Sequence, residues 1–219
     1  MARMQLGFNI SPAGDFNAPA ELCENQVHSN MLPFLVKIFA QTQDGQQVGE
    51  FTGFLYSAAS TGIVTVGHIV GFQGSSVTTS GAPLVSEKFR VLYTDGTEED
   101  AVLMKHAPNN LPDIAILRGS RCAPRSLFGT VWATGDIIYA IGFSPASRDP
   151  GTSKGTVSCD TVGSIAIAAH ADDGYPGGPV VNWRGRLVGI IKGPIGSTAK
   201  QLGLPQLWTF TLSCCRQGS

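Results

Sequence analysis

The sequence predicts an all-β chain of two packed antiparallel six-stranded barrels, with an irregular N-terminal arm in front of them. Three observations carry that prediction. Short apolar segments recur at even spacing, separated by Gly, Pro and Asp turns. No stretch holds a helical period. A connection rich in chain breakers, Gly119 to Phe128, divides the segments about six to a side, and the two halves share one texture without an exact repeat. The expected divisions are an arm over 1–30, a first barrel over 31–120 and a second over 121–219.

The elements follow in order. Ser11-Pro-Ala-Gly and Asn17-Ala-Pro break any regular period in the arm. Phe34-Leu-Val-Lys-Ile-Phe39 reads as the first strand, and Asp44-Gly45 as a tight hairpin turn. Glu50–Tyr56 and Gly62–Val66 are the next strands, followed by a polar Gly/Ser/Thr loop over Gly71–Gly81. Phe89–Tyr93, a second Asp-Gly turn at Asp95-Gly96, Asp100–Met104 and Ile114–Leu117 complete the first half. The second half repeats the pattern with Asp136–Ile141, Gly155–Ser158 and Ser164–Ala168. A hairpin pairs Pro179–Asn182 with Arg186–Ile191 around Trp183-Arg184-Gly185, and Leu207–Leu212 closes the barrel.

Composition excludes several classes. The 219 residues hold 15 Lys+Arg and 16 Asp+Glu, so the net charge of −1 leaves no electrostatic footprint for nucleic acid or an anionic membrane. No apolar run approaches the roughly 20 residues of a membrane helix. The 27 Gly and 13 Pro are not periodic, and 42% apolar residues are too many for a disordered chain. Met1 to Phe8 has no long apolar stretch, hence no secretory signal, which points to an intracellular or virion-associated protein or one cut from a precursor. Cys23, Cys122, Cys159, Cys214 and Cys215 are odd in number and show no CxxC pair, so free thiols are expected. No metal-ligand spacing links His28, His106 and His170, and no cofactor motif is present. Trp132, Trp183 and Trp208 read as core or rim packing.

Three strings carry chemistry: Thr65-Val-Gly-His68, Pro112-Asp113-Ile-Ala-Ile-Leu117 and Asp173-Gly-Tyr-Pro-Gly-Gly-Pro-Val180. Singly they are bland: a structural histidine, a capping aspartate and a turn. In this order, on a two-barrel β chain, they are specific.

From Leu32 to Ile191 the chain resembles the trypsin/chymotrypsin-like serine peptidases, closest to the HtrA-like branch and its bacterial, viral and fungal relatives. Val64-Thr-Val-Gly-His68 resembles the strand into that family's "T-x-x-H", and Asp113-Ile-Ala-Ile-Leu its "D-I-A-L-L". Gly135-Asp-Ile-Ile-Tyr-Ala-Ile-Gly resembles the "G-D-x-V-x-A-I-G" strand, Gly155-Thr-Val-Ser the "G-x-V-S" strand, and Arg186–Ile191 the strand after the nucleophile.

The resemblance implies His68 as general base and Asp113 as its orienting partner. It fails at the third role. The family's "G-x-S-G-G-P" reads Gly174-Tyr-Pro176-Gly-Gly-Pro179 here, with proline in place of the nucleophilic serine. Proline has no hydroxyl to acylate and no N–H for an oxyanion hole. Gly174 keeps the other oxyanion donor. Losing one such donor costs about 10²–10³ in rate, and losing the nucleophile on the order of 10⁶. Cys159, Ser164 and Ser197 lie outside the turn that would present them to the base. Tyr175 replaces the aspartate that pairs with a freed N-terminus in secreted trypsins. The implied groove is walled by Ala169 and His170 on one side and by Lys192 and Gly193 on the other, and a peptide there adds a strand through backbone contacts alone.

The leading expectation is therefore a peptidase-like protein that binds a protein or peptide without cleaving it, with no cofactor, no nucleic acid and no membrane. The alternative is an active endopeptidase with a non-standard nucleophile. A viral module, forming a homo-oligomer or part of a particle, is a third reading, resting on short length, low charge and free cysteines.

Overall fold

The computed structural model describes residues 22–71, 88–107, 113–145, 147–161, 164–169, 171, 173–194 and 208–211. The first barrel comprises β1 (Leu35–Gln41), β2 (Gln47–Leu55), β3 (Gly62–Thr65), β4 (Lys88–Tyr93), β5 (Glu98–Ala107) and β6 (Ile114–Arg118). They close in the order β1-β2-β3-β6-β5-β4. The second comprises β7 (Ile137–Phe143), β8 (Pro150–Thr161), β9 (Ser164–Ala168), β10 (Pro179–Asn182), β11 (Leu187–Pro194) and β12 (Trp208–Thr211), in the order β10-β11-β12-β9-β8-β7. Closure leaves few unpaired strand edges. The polar loop read over Gly71–Gly81 lies, beyond Gly71, outside the described residues.

Apolar residues set these strands because closed sheets bury one face of each. In β3 all four residues are buried. The Asp-Gly turns form as expected: the Gly45 and Gly96 amides donate to Thr42 and Tyr93 carbonyls at 3.0 and 2.9 Å. The larger apolar cluster does not stop at the barrel boundary. It runs from Phe34, Ile38, Phe54 and Ile114 into Tyr139, Ile141 and Phe143. A smaller cluster within the second barrel holds Ile138, Val157, Val180, Val188 and Ile191.

One expectation needs correction. The arm is not irregular up to residue 30, because helix α1 spans Glu24–Met31. Only Val27 and Met31 are buried along it, four residues apart and so on one face. That pair is too short to register as a sustained period. Its start is fixed by the Cys23 amide, which donates to the Gln26 side chain at 3.0 Å, with Glu24 in the first turn against the helix dipole. The helix lies against the second barrel, where His28 Nδ1 and Thr152 Oγ1 are hydrogen-bonded at 2.7 Å.

Candidate functional site

The site begins at the end of β3. The chain turns there into a short 3-10 segment, Gly67–Gly71, which carries His68. Asp113 immediately precedes β6, the neighbour of β3, so sheet pairing brings the two residues to the same end of the barrel. Asp113 is 1% exposed. Both its oxygens are used: Oδ2 accepts from His68 Nδ1 at 2.8 Å, and Oδ1 accepts from the His68 amide at 2.9 Å. A carboxylate accepts only, so His68 Nδ1 is the donor in this pair. The His68 side chain remains 24% exposed. Phe51 supports it edge-on, with ring centroids 6.0 Å apart.

The second half of the site is the turn Gly174–Pro179, buried throughout. Its bonds hold it rigidly. The Gly177 amide donates to the Ile191 carbonyl at 2.7 Å, Ile191 returns a bond to Gly178 at 2.8 Å, and Gly178 donates to Tyr175 at 2.8 Å. Gly177 has φ +91, and a Cβ there would lie 2.0 Å from the Thr52 carbonyl oxygen, so only glycine fits.

Thr52, on β2, ties the turn to the first barrel. Its amide donates to the Pro176 carbonyl at 2.9 Å. Its hydroxyl donates to the Gly174 carbonyl at 2.8 Å and accepts from the Phe143 amide at 2.9 Å. Thr65 Oγ1 in turn donates to the Thr52 carbonyl at 2.8 Å. Thr65 lies three residues before His68, and Phe51, which supports His68, is the neighbour of Thr52. Phe51 and Thr52, adjacent on β2, thus link the histidine–aspartate pair to the glycine-rich turn.

Pro176 is buried within this turn, and its carbonyl is already committed to Thr52. Gly174 is also buried, and a Cβ on it would lie 2.3 Å from the Phe143 carbonyl oxygen. Tyr175 is 5% exposed and belongs to the second-barrel core. Its ring lies over Gly142 and Gly151, which face each other across β7 and β8. A Cβ on either glycine would come within 2.7 Å of the Tyr175 side chain. The residue expected only as a departure from the family is therefore a core side chain with a purpose-shaped slot.

Of the predicted groove, Ala169 is buried against the second core. Lys192 falls at a bulge of β11, between the Ile191–Phe210 and Gly193–Thr209 pairs with β12. On the opposite side, pairing with β10 ends at Pro179 with Ile190, so Lys192 and Gly193 run past the end of that strand. His170 lies outside the described residues, as does Ser197; Cys159 and Ser164 are described in backbone only. Trp132 and Trp183 line a separate, small cavity of about 90 Å³ with Asp136 and Asn182, and it shares no residue with the His68 site.

Two residues of this region were not marked in the sequence. Thr52 looks like an ordinary strand threonine. Lys37 looks like a polar break in an apolar strand, yet its ammonium is buried and reaches the second barrel. No local sequence signal marks either residue.

Two closed barrels with an aspartate-held histidine and a glycine-rich turn between them define a chain built on a peptidase frame. Residues 51–190 match the family of trypsin-like peptidase domains, and the chain belongs to that family. Among solved structures it is similar to a variant of the HtrA-type protease AlgW with a tripeptide, at TM-score 0.66 and 18% identity over 87% of this chain. The chain spans 60% of that protein's length. It is also similar to the inactive form of the Rv3671c protease, at TM-score 0.62 and 20% identity, covering 85% of this chain and 87% of that one. No curated protein matches it.

Proposed function

We propose that this protein is a peptidase-fold binding module that takes a protein or peptide without cleaving it. One observation carries the reading: the turn reads Gly174-Tyr-Pro176-Gly-Gly-Pro179, with proline where the resemblance to the family motif places the nucleophile. Pro176 offers neither a hydroxyl to attack a carbonyl nor an N–H to stabilise an oxyanion. The His68–Asp113 pair supports the reading from the other side, since it retains the geometry of a general base. A base with no nucleophile to activate does no acyl transfer.

What remains is recognition. Lys192 and Gly193 extend beyond the end of β10 within strand β11, a geometry that suits a peptide added as a strand. The weak net charge of −1 favours a protein or peptide over nucleic acid as the partner. A viral origin and a place in a particle fall within this proposal; light scattering tests the assembly, and a monodisperse small monomer would argue against it.

The central experiment is Pro176→Ser with casein and a fluorogenic peptide library as substrates. The expected result is no His68-dependent cleavage by the wild type, and measurable cleavage by Pro176→Ser that disappears when His68→Ala is added. Wild-type cleavage lost on His68→Ala would sink the proposal. It would favour the alternative nucleophile, which a serine- or thiol-directed probe mapped by mass spectrometry would then locate.

A further inference from the structure

Lys37 and Thr52 stand directly opposite each other in the β1–β2 pairing. Opposed residues of an antiparallel pair project to the same face. Glu50, two residues before Thr52, shares that face. Lys37 is 3% exposed, and its ammonium is surrounded by oxygen. It donates to the carbonyls of Ser144, Pro145 and Ser147 at 3.2, 2.9 and 2.9 Å, and pairs with Glu50 Oε2 at 2.7 Å. The three carbonyls belong to the loop that joins β7 to β8. That loop packs on the glycine-rich turn: a Cβ on Gly174 would meet Pro145 at 3.3 Å. Thr52, beside Lys37, binds Phe143 at the base of the same loop and Gly174 in the turn.

We propose that Lys37 and Thr52 form a bracket on the first barrel that sets the position of the glycine-rich turn relative to His68 and Asp113, with Lys37 acting through the Ser144, Pro145 and Ser147 carbonyls as a positioning residue. The physical case is geometric. A buried ammonium is tolerated only where its donors and charge are met, and here every ligand but Glu50 comes from the other barrel. Such a group fixes a distance between barrels that apolar packing alone leaves able to slide. The inference concerns where the turn is held, and stands whether or not the chain cleaves peptides.

Residue-resolved hydrogen exchange on the full chain tests it. The reporting amides are Thr52 (to Pro176), Phe143 (to Thr52) and Gly177 (to Ile191). The reference amides are Gly119 (to Thr61) and Asn182 (to Arg186), one in each half and away from the bracket. In Lys37→Ala the three reporting amides should lose at least tenfold more protection than the references. Methylammonium, a small cation that fits the vacated oxygen cage, should restore them, and tetramethylammonium at equal ionic strength should not. A uniform loss at all five amides, unaltered protection, or equal rescue by both cations would overturn the proposal. Should Lys37→Ala not fold, Lys37→Arg serves: it keeps the charge in a bulkier head, and the same local pattern of loss is expected.

Discussion

Gly177→Ala is the sharpest test of how the site is held. The substitution adds one methyl group at φ +91, a conformation that costs a residue with a Cβ about 1–3 kcal/mol. The methyl would also lie 2.0 Å from the Thr52 carbonyl oxygen and 2.2 Å from Thr65 Oγ1, both far inside contact distance. Neither neighbour can yield freely. The Thr52 carbonyl accepts the Thr65 hydroxyl, and Thr52 is bonded to Pro176, Gly174 and Phe143. Relieving the overlap therefore means shifting backbone in both barrels, about 1–3 kcal/mol, and weakening a buried hydrogen bond worth about 1 kcal/mol. The expected loss is about 3–7 kcal/mol, a large part of a domain's total of about 5–15 kcal/mol. Urea unfolding followed by tryptophan fluorescence measures it. Gly193→Ala is the control, since a Cβ there meets nothing within 4 Å, and it should stay within about 0.5 kcal/mol of wild type. If Gly177→Ala costs no more than Gly193→Ala, the account of the turn is wrong.

Three other outcomes are expected. Asp113→Asn places an amide N–H against His68 Nδ1 and drives the proton to Nε2; imidazole ¹⁵N shifts report the tautomer, and an unmoved pattern counts against the pairing described. Burial, then the hydrogen bond to Glu99, pushes the Tyr93 phenol well above its ordinary value of 10.0. A raised folded-state value gives stability that is complete below pH 10 and lost as pH rises beyond it, so wild type should weaken at high pH more steeply than Tyr93→Phe. The Arg121 hydrogen bond holds the exposed Asp95 carboxyl down to about 2, from 3.8. Its small contribution is present above about pH 4 and fades as pH falls towards 2, so the stability difference between wild type and Asp95→Asn should vanish over that interval.

The strands were legible because each is a run of apolar or β-branched residues ended by a turn former. Bounds were least legible where that texture fades. β8 runs over Pro150–Thr161, although only Gly155–Ser158 reads as strand; its Gly, Ser and Lys residues have weak strand preference and are held by pairing with β7 from Ile137 to Phe143. Helix α1 was illegible for the opposite reason, since two buried side chains and a cysteine cap make no recognisable pattern. His68, Asp113 and the turn were legible through their order along the chain. Lys37 and Thr52 were not, because their partners in the second barrel lie more than 90 positions away and no local pattern encodes such a contact. Tyr175 was read from what it lacks, while its role follows from two glycines that become meaningful only once β7 and β8 are paired.

Those long separations have a kinetic meaning. His28 to Thr152, Lys37 to Pro145 and Thr52 to Gly174 span 124, 108 and 122 positions. Each bond joins a residue made early in synthesis to one made late, and contacts of such separation form slowly. A nascent chain can close its first barrel while the oxygen cage, the turn and their anchors are still missing. The site is therefore among the last parts of the molecule to exist. Until then the shared apolar cluster lacks the side chains that the second barrel supplies to it, Tyr139, Ile141 and Phe143. That interval is where aggregation and chaperone capture compete with folding.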